Sequence, residues 1–314
     1  MAAGEIPVGL CTGKGLAEAF ESALVTLYEG GIRMRTQYDK PGDPPSIDCS
    51  MNITVSDPLS EPMIHKAFPG GVADLREYVM ELEGAKDDWV KAVDDPNDTR
   101  WEYTYHGRFA RHGHVKRLAR TSMDGMTGCS STIVDASGDE VDQISAVVDK
   151  LAKSPFTRQA QMITWMPSVD LGCYDPPCLQ SIWCRIVEAD AKWWLNWNIR
   201  FRSNDAWGAA FMNMFGLTMM MNDLVVRPLA AATGKDVVLG RLNWQADSFH
   251  VYGKDIEALE KGLIERRKRP PLGREGFLDR TMRFDDPDVR AMYDEATAVV
   301  EAKLRSVSEG WGAK

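Results

Sequence analysis

Two features that would indicate a polyanionic or membrane partner are missing from this sequence of 314 residues. Asp and Glu (46) outnumber Lys and Arg (37), and the formal net charge at pH 7 is -9. Proteins that bind nucleic acid or anionic lipid over a broad face need a surplus of positive charge. No apolar run approaches the roughly 20 residues that a membrane-spanning helix requires. We therefore expect no nucleic-acid and no membrane partner, and an anionic ligand would need a local group of arginines.

The sequence also lacks a disulfide framework, an internal repeat and a low-complexity linker. Its six cysteines are scattered along the chain, and the N-terminus has neither the basic nor the apolar region of a signal peptide. These absences favour a reducing, cytoplasmic setting. With nothing to divide the chain, we predict a single α+β domain over residues 1–314, with a core at about 14–255 and a helical C-terminal extension at about 256–314.

Periodicity and turn chemistry predict most of the regular elements. Helical spacing that ends at glycine predicts helices within 14–31 and 72–84, and an apolar helix is predicted at about 206–231. A capping box of Ser137 and Glu140 predicts the start of another helix. Aromatic and β-branched runs predict strands at 160–165, 180–187 and 193–201, and a strand pair within 236–252. The Pro-, Asp- and Ser-rich residues 35–50 indicate a loop.

The segment YDPPCLQSIWCRI presents a thiol behind two rigid residues. Pro176 and Pro177 lead directly into Cys178, which opens a predicted strand. A thiolate is stabilised by nearby arginines, and Arg158 and Arg202 both stand at the ends of predicted strands. Arg202 begins the polar run RSND, whose guanidinium and hydroxyl donors could hold a phosphate. A cysteine on a strand is by itself more often a packing residue than a nucleophile.

The order and spacing of several motifs are much more specific than any one of them. They are TRQAQMITWMPSVDLGCYDPPC, then RFRSNDAWGAAFMN, then SFHVY. Together they resemble the thymidylate synthase and deoxycytidylate hydroxymethylase family, whose pattern matches Arg158, Trp165, Cys178, Arg202, Ser203, Asp205, Asn213, His250 and Tyr252. Arg35 and Glu77, which stands seven residues before Gly84, extend the resemblance, and YTYHGRF looks like the family's tyrosine-glycine segment. The resemblance spans roughly 14–255.

The resemblance implies a thymidylate synthase-like fold, a mixed β-sheet with flanking helices, and a one-carbon transferase. In that family the Pro-Pro-Cys thiolate, here Cys178, attacks C6 of a pyrimidine nucleotide so that C5 can take a one-carbon unit. The co-substrate is 5,10-methylenetetrahydrofolate, and no metal is implied. By the same carry-over Glu77 shuttles protons and contacts the folate, Tyr105 helps to remove the C5 proton, and Asp205 holds the pterin.

The resemblance also implies how the nucleotide is bound. Arg35, Arg158, Arg202 and Ser203 would bind the 5'-phosphate, with Arg158 reaching in from the other subunit of a homodimer. Their guanidinium groups would lower the pKa of the Cys178 thiol. His250 and Tyr252 would bind the 3'-hydroxyl of the sugar.

Base choice rests on Asn213. Its amide can accept from uracil N3–H and donate to O4, whereas cytosine-directed members of the family tend to carry aspartate at this position. We therefore favour a uracil nucleotide, dUMP, as substrate, while methylation and hydroxymethylation of C5 both stay open. Because the amide can also flip to pair with cytosine, hydroxymethylation of dCMP or CMP stays the alternative.

A different class of function is indicated by the histidines. His106, His112 and His114 lie within nine residues, which could suggest a metal-dependent hydrolase. No HExxH spacing accompanies them, and a solvated basic loop is the more common explanation. The hydrolase remains a remote alternative.

Overall fold

The computed structural model describes residues 4–90, 100–113 and 140–312. Their strands are β1 (Val8–Gly13), β2 (Ile32–Met34), β3 (Ser46–Val55), β4 (Ile64–His65), β5 (Ala160–Ile163), β6 (Leu179–Ala189), β7 (Lys192–Phe201), β8 (Asn204–Asp205), β9 (Val237–Val251) and β10 (Thr281–Met282). Their helices are α1 (Leu16–Gly30), α2 (Val72–Leu82), α3 (Tyr105–Ala110), α4 (Gln143–Lys153), α5 (Pro167–Asp170), α6 (Ala210–Met221), α7 (Arg227–Thr233), α8 (Ile256–Leu259), α9 (Glu265–Arg267), α10 (Gly273–Asp279) and α11 (Pro287–Gly312). In these three ranges no helix is both long and apolar enough to cross a membrane.

A mixed sheet forms the centre of the fold. Its main strand order is β1-β3-β9-β7-β6-β5, with β2 beside β3 and β8 beside β9. Strand β9 runs parallel to β7 and antiparallel to β3, and β6 runs antiparallel to β7. As a result the end of β9, the end of β7 and the start of β6 meet at one edge of the sheet, where polar side chains from all three can come together.

The core lies on one face of this sheet. Along β7 the side chains alternate between buried and partly exposed, with Trp197 fully buried and Trp194 partly exposed. The apolar stripe of α1, which includes Phe20, Leu24 and Leu27, is fully buried. Helix α6 is buried nearly all round, because α1 and α2 both pack on it.

The predicted helices 14–31 and 72–84 and the three strands from β5 to β7 are confirmed. Three details differ. The predicted pair within 236–252 is the single strand β9, because Gly240 lies close to the Leu195 carbonyl of β7 and does not form a turn. The predicted loop 35–50 gives way to β3 at Ser46. Helix α4 is capped by Asp142, whose side chain accepts from the Ser145 backbone, while Ser137 of the predicted box lies outside the described residues.

A buried ionic cluster joins the C-terminal segment to α1. Glu21 is 7% exposed, and its carboxylate accepts hydrogen bonds from Arg280 at 2.8 and 2.9 Å, from Arg267 at 2.9 Å and from His65 at 2.9 Å. Burial alone would raise the pKa of Glu21, but the hydrogen bonds from His65 and Arg280 outweigh it and lower the pKa to about 2. The C-terminal segment is thus tied to the first helix by charge as well as by packing.

We expect Glu21→Gln to lower the free energy of unfolding by about 3 kcal/mol at pH 7, because it leaves Arg280 buried without its carboxylate. Because the folded-state pKa lies below the ordinary value, this stabilisation is present above about pH 4.5 and is lost as the pH falls toward 2. Urea denaturation from pH 7 down to pH 3 measures both effects. Glu29→Gln, the same change at an exposed site on α1, is the control, and equal losses in both variants would contradict the prediction.

Candidate active site

A cavity of about 540 Å³ opens at the sheet edge where β6, β7 and β9 meet. Seven residues predicted from the sequence line it: Tyr105, Cys178, Ser203, Asp205, Asn213, His250 and Tyr252. Its volume is typical of a small-molecule site. Four predicted residues, Arg35, Glu77, Arg158 and Arg202, are not part of the lining.

The loop before β6 holds Cys178 through its backbone. The Arg202 backbone donates to the Cys178 carbonyl at 2.9 Å, and the Arg202 guanidinium donates to the carbonyls of Pro176 at 2.5 Å and Pro177 at 3.1 Å. Two residues with fixed φ and a guanidinium that bonds to both their carbonyls leave this turn little freedom. The geometry gives a physical reason for the two prolines, since they fix where the thiol enters the cavity.

The pKa of the Cys178 thiol is raised, which corrects the expectation that arginines would lower it. Burial has the largest effect; Arg202 lowers the pKa and Asp175 raises it. Only one of the expected guanidinium groups lies close enough to act, and burial outweighs it. The thiol is therefore mainly protonated at neutral pH in the ligand-free protein.

We expect Asp175→Asn to make Cys178 more reactive, because it removes a negative charge that opposes the thiolate. Alkylation by iodoacetamide at pH 8, followed at Cys178 by peptide mass spectrometry, should be roughly 2- to 10-fold faster, which corresponds to a pKa lower by up to about one unit. Asp149→Asn, an exposed change on α4, should leave the rate unchanged. A rate that is unaltered or slower in Asp175→Asn would show that Asp175 does not control the thiol.

Tyr105 stands next to the nucleophile at the start of α3. Its hydroxyl oxygen accepts from the Leu179 backbone N–H at 3.2 Å, directly after Cys178. Thr104 caps the helix by accepting from the Gly107 backbone at 3.0 Å. Burial, and then the neighbouring Cys178, raise the pKa of Tyr105 well above its ordinary value. The phenol is therefore neutral and can donate a proton.

Three further lining residues contribute a carboxylate, an imidazole and a phenol. Asp205 Oδ1 accepts from the backbones of Trp207 at 3.1 Å and Gly208 at 2.9 Å, and burial raises the pKa of Asp205. His250 Nδ1 lies 3.1 Å from Ser248 Oγ, while its Nε2 is buried and has no hydrogen-bond partner in the part of the chain that the structure describes. The Tyr252 ring packs edge-on against the His250 ring, with 4.8 Å between the ring centroids. An unpartnered imidazole nitrogen beside a cavity is suited to a ligand hydroxyl.

Asn213 reaches the cavity from α6 and is only 7% exposed. Its Oδ1 lies 2.5 Å from the hydroxyl of Tyr78 on α2. The carboxylate of Glu81, one turn further along α2, also lines the cavity. Burial has the largest effect on Glu81 and raises its pKa, although Lys86 acts in the opposite direction.

Glu77 lies on the same side of α2 but outside the cavity lining. Its carboxylate accepts from Lys86 at 2.8 Å and from Lys303 of α11 at 2.8 and 2.9 Å. Lys86 also donates to Glu81 at 3.2 Å. The ammonium of Lys86 is 5.1 Å from the ring centroids of both Trp89 and Trp101, of which only Trp101 lines the cavity. Lys86 thus connects the carboxylate inside the cavity to the one outside it.

Two predicted phosphate ligands lie on the surface. The Arg35 side chain is 61% exposed, and its guanidinium donates to the Asp43 carbonyl at 2.5 Å. Its loop contacts the cavity wall through Tyr38, whose ring is 6.3 Å from that of Tyr252. Arg158 is exposed beside β5, and its backbone carbonyl accepts from Trp183. Neither guanidinium reaches the cavity of its own chain.

Tyr78, Glu81 and Tyr103 also line the cavity, although the sequence motifs did not indicate them. A signal was available for Glu81, since residues four apart on a helix share a face and Glu77 was already a candidate. Tyr103 belongs to the same motif, YTYHGRF, from which Tyr105 was chosen as a candidate. Of the three neighbouring histidines, His106 is paired with Asp87 at 2.7 Å, and His114 lies outside the described residues. Across residues 4–90, 100–113 and 140–312 no group of three metal-binding side chains is present.

Comparison with known proteins identifies the family. Residues 85–293, more than half of the chain, match the family model of thymidylate synthase. The chain belongs to the thymidylate synthase family. The mixed sheet with flanking helices is the thymidylate synthase-like fold expected from the motifs. The family match continues past residue 255 into the C-terminal segment and does not include residues 1–84, where Arg35 and Glu77 lie.

Several proteins named "Putative thymidylate synthase" are similar to the chain. A "Putative thymidylate synthase" of Methanosarcina acetivorans is 33% identical over 128 residues, which is 40% of this chain and 54% of that protein. Its namesake in Methanosarcina mazei is 33% identical over 127 residues, again 54% of its length. The Methanosarcina barkeri protein of the same name is 26% identical over 214 residues, 67% of this chain and 77% of that protein. The chain thus spans about half the length of the first two relatives.

Proposed function

We propose that this thymidylate synthase family member transfers a one-carbon unit from 5,10-methylenetetrahydrofolate to C5 of a pyrimidine nucleoside 5'-monophosphate. The observation that carries the proposal is the rigidly held Cys178 thiol, which enters the same cavity as the Asn213 amide. The Cys178 thiol can attack the pyrimidine ring, and the Asn213 amide can form hydrogen bonds with the edge of the base. A nucleophile fixed by its backbone over a planar substrate gains rate from positioning alone.

In this mechanism Cys178 adds to C6 of the pyrimidine, and the electron pair of the C5–C6 double bond makes C5 nucleophilic. Because burial raises the pKa of the Cys178 thiol, the thiol keeps its proton until the nucleotide is bound. As the bond from sulfur to C6 forms, this proton would pass to the carbonyl oxygen at position 4 of the ring, which leaves C5 as the nucleophilic carbon of an enol. We propose that Tyr105, hydrogen-bonded to the backbone next to Cys178, assists removal of the C5 proton as a neutral hydrogen-bond donor and not as the base. Product forms when this proton and the bond to Cys178 are lost.

The folate, when bound, would supply the one-carbon unit and, for a methyl product, the hydride that reduces it. The cavity residues fit such a ligand: the Trp101 ring, 38% exposed at the cavity wall, offers an aromatic face, and Asp205 offers a carboxyl group with a raised pKa. We propose that Asp205 holds the pterin and that the α2 carboxylates move protons. The resemblance assigns that proton transfer to Glu77; the geometry adds Glu81, with Lys86 between them.

Phosphate and sugar would be bound at the other end of the cavity. Ser203 lines it, and Arg202 lies beside it on the Cys178 loop. We propose these two as phosphate ligands together with Arg35, whose loop adjoins Tyr252. His250 Nε2, buried and unpartnered within the described ranges, and Tyr252 would hold the 3'-hydroxyl.

We further propose a homodimer in which Arg158 serves the partner's cavity. Arg158 is exposed and does not line the cavity of its own chain. Both features are expected of a residue that binds a ligand in the cavity of a second subunit. The sheet face opposite the core carries partly exposed residues such as Trp183 and Trp194, which a partner could cover. Sedimentation as a single chain at micromolar concentration would contradict this proposal. We also propose a cytoplasmic location, which the scattered cysteines of the sequence favour because they form no disulfide framework.

Product analysis tests the function directly. Purified protein is incubated with methylenetetrahydrofolate and an equal mixture of dUMP, dCMP, UMP and CMP, and the nucleotides are analysed by mass spectrometry. A methyl group gained by dUMP is the expected result. A hydroxymethyl group on dCMP or CMP would change the substrate and product within the same mechanism, and no modified nucleotide would refute the proposed one-carbon transfer.

A further inference from the structure

Tyr78 is a candidate for controlling which base the cavity accepts. Its hydroxyl is 2.5 Å from Asn213 Oδ1, and within the described part of the chain it has no other hydrogen-bond partner. The Nδ2 nitrogen of Asn213 has no protein partner in the same residues, although the side chain lines the cavity. One end of the amide is therefore bound to the protein and the other end is free for a ligand.

The position of the Tyr78 ring is fixed by α6 itself. Gly216 lies one turn after Asn213, and a Cβ atom there would be 2.6 Å from Tyr78 Cδ1 and 2.8 Å from Leu82 Cδ1. A glycine inside a helix costs stability relative to alanine, so its presence needs a packing reason. The Tyr78 ring supplies that reason: α6 leaves room for it, and the ring in turn brings its hydroxyl to Asn213.

The phenol also decides which way the amide faces. Burial raises the pKa of Tyr78 well above its ordinary value, so the hydroxyl keeps its proton and must donate it. If the amide were flipped, two donors would face each other and the phenol proton would have no acceptor. A buried donor without an acceptor is costly, and so the orientation with Oδ1 toward Tyr78 is preferred.

We propose that Tyr78 selects a uracil base by holding Asn213 with its Nδ2 donor toward position 4 of the pyrimidine. Uracil carries a carbonyl at position 4 and an N–H at position 3, which match Nδ2 and the second lone pair of Oδ1. Cytosine carries an amino group at position 4 and an unprotonated nitrogen at position 3. With the amide held in this orientation, the donor Nδ2 would face the amino group, and the acceptor Oδ1 would face the ring nitrogen. This inference rests on the proposed function, because it assumes that a pyrimidine nucleotide occupies the cavity.

The test compares the affinities of two nucleotides in two matched variants. The dissociation constants of dUMP and dCMP are measured by calorimetry for the wild type, Tyr78→Phe and Tyr103→Phe. We expect the wild type to prefer dUMP and Tyr78→Phe to reduce that preference by roughly tenfold, the effect of one lost hydrogen bond in a buried site. Tyr103→Phe removes a hydroxyl from the same cavity wall, where its ring lies against Tyr105, and should keep the wild-type ratio.

Gly216→Ala gives an independent second variant. The new methyl group would displace the Tyr78 ring without changing either hydrogen-bonding group, and should reduce the dUMP preference in the same direction. Melting temperatures establish that each variant is folded before its ratio is interpreted. The ratio of the two dissociation constants is the informative readout, because a merely structural role for Tyr78 would weaken the binding of dUMP and dCMP equally.

The outcomes separate this inference from the function on which it rests. A wild type that binds none of dUMP, dCMP, UMP and CMP, all measured by the same calorimetry, refutes the proposed function. A wild type that prefers dUMP, with an unchanged ratio in Tyr78→Phe, refutes the role of Tyr78 while the function stands. A wild type that prefers dCMP refutes the orientation argument and leaves the one-carbon chemistry intact.

Discussion

Replacing Cys178 by alanine should abolish product formation, with a loss on the order of 10⁴-fold or more in kcat. The thiol is the only group in the proposed mechanism that can form a covalent bond to C6, and C5 stays unreactive without that bond. The measurement is single-turnover product formation with saturating nucleotide and folate, analysed by mass spectrometry. Binding of the nucleotide should survive, because Asn213, Ser203 and His250 are left in place.

Two further variants keep this prediction falsifiable. Cys173→Ala changes a thiol five residues earlier, outside the cavity lining, and should retain activity. Cys178→Ser keeps the size of the side chain but has a much less acidic nucleophile, so it should be nearly as inactive as Cys178→Ala. Turnover of Cys178→Ala within tenfold of the wild type would exclude covalent catalysis by this residue, whatever the product.

The helices and strands that were predicted correctly are those whose formation depends on interactions between residues close in sequence. Helix α1 combines helical spacing with a terminal glycine, and β5, β6 and β7 have aromatic and β-branched runs of strand length. The single strand β9 was missed because Gly240 has the same sequence signal in a turn as in a close contact between strands. Only the approach of the Leu195 carbonyl on β7, more than forty residues away, distinguishes the two.

The candidate site shows the same limit. Residues at the start of β6, in β8 and at the end of β9, such as Cys178, Asp205 and His250, are brought together by strand pairing, and family spacing was enough to group them. The pKa of Cys178 could not be predicted in this way, because it depends on burial, which outweighs the single nearby arginine. The Tyr78 contact was missed for a related reason: its partner Asn213 is 135 positions away.

The second large effect concerns the two carboxylates of α2. Glu81→Gln should lower kcat by on the order of 10²- to 10³-fold, as expected for loss of a general acid or base. Glu81 lines the cavity, and burial raises the pKa of its carboxyl group, so it keeps its proton to a higher pH than an ordinary glutamate does. Glu77→Gln should lower kcat less, since Glu77 acts on the cavity through Lys86 and also accepts from Lys303.

The pH profile separates a catalytic from a structural role for these groups. If Glu81 transfers the proton, the wild-type kcat has a limb with an apparent pKa above the ordinary range of a glutamate, and Glu81→Gln removes that limb. Glu83→Gln, a change at the end of the same helix where Glu83 contacts Arg76, should alter neither kcat nor the profile. A larger loss in Glu77→Gln than in Glu81→Gln would assign proton transfer to Glu77. In that case the Lys303 contact must open during turnover, and the C-terminal helix α11 would control access of the catalytic carboxylate to the cavity.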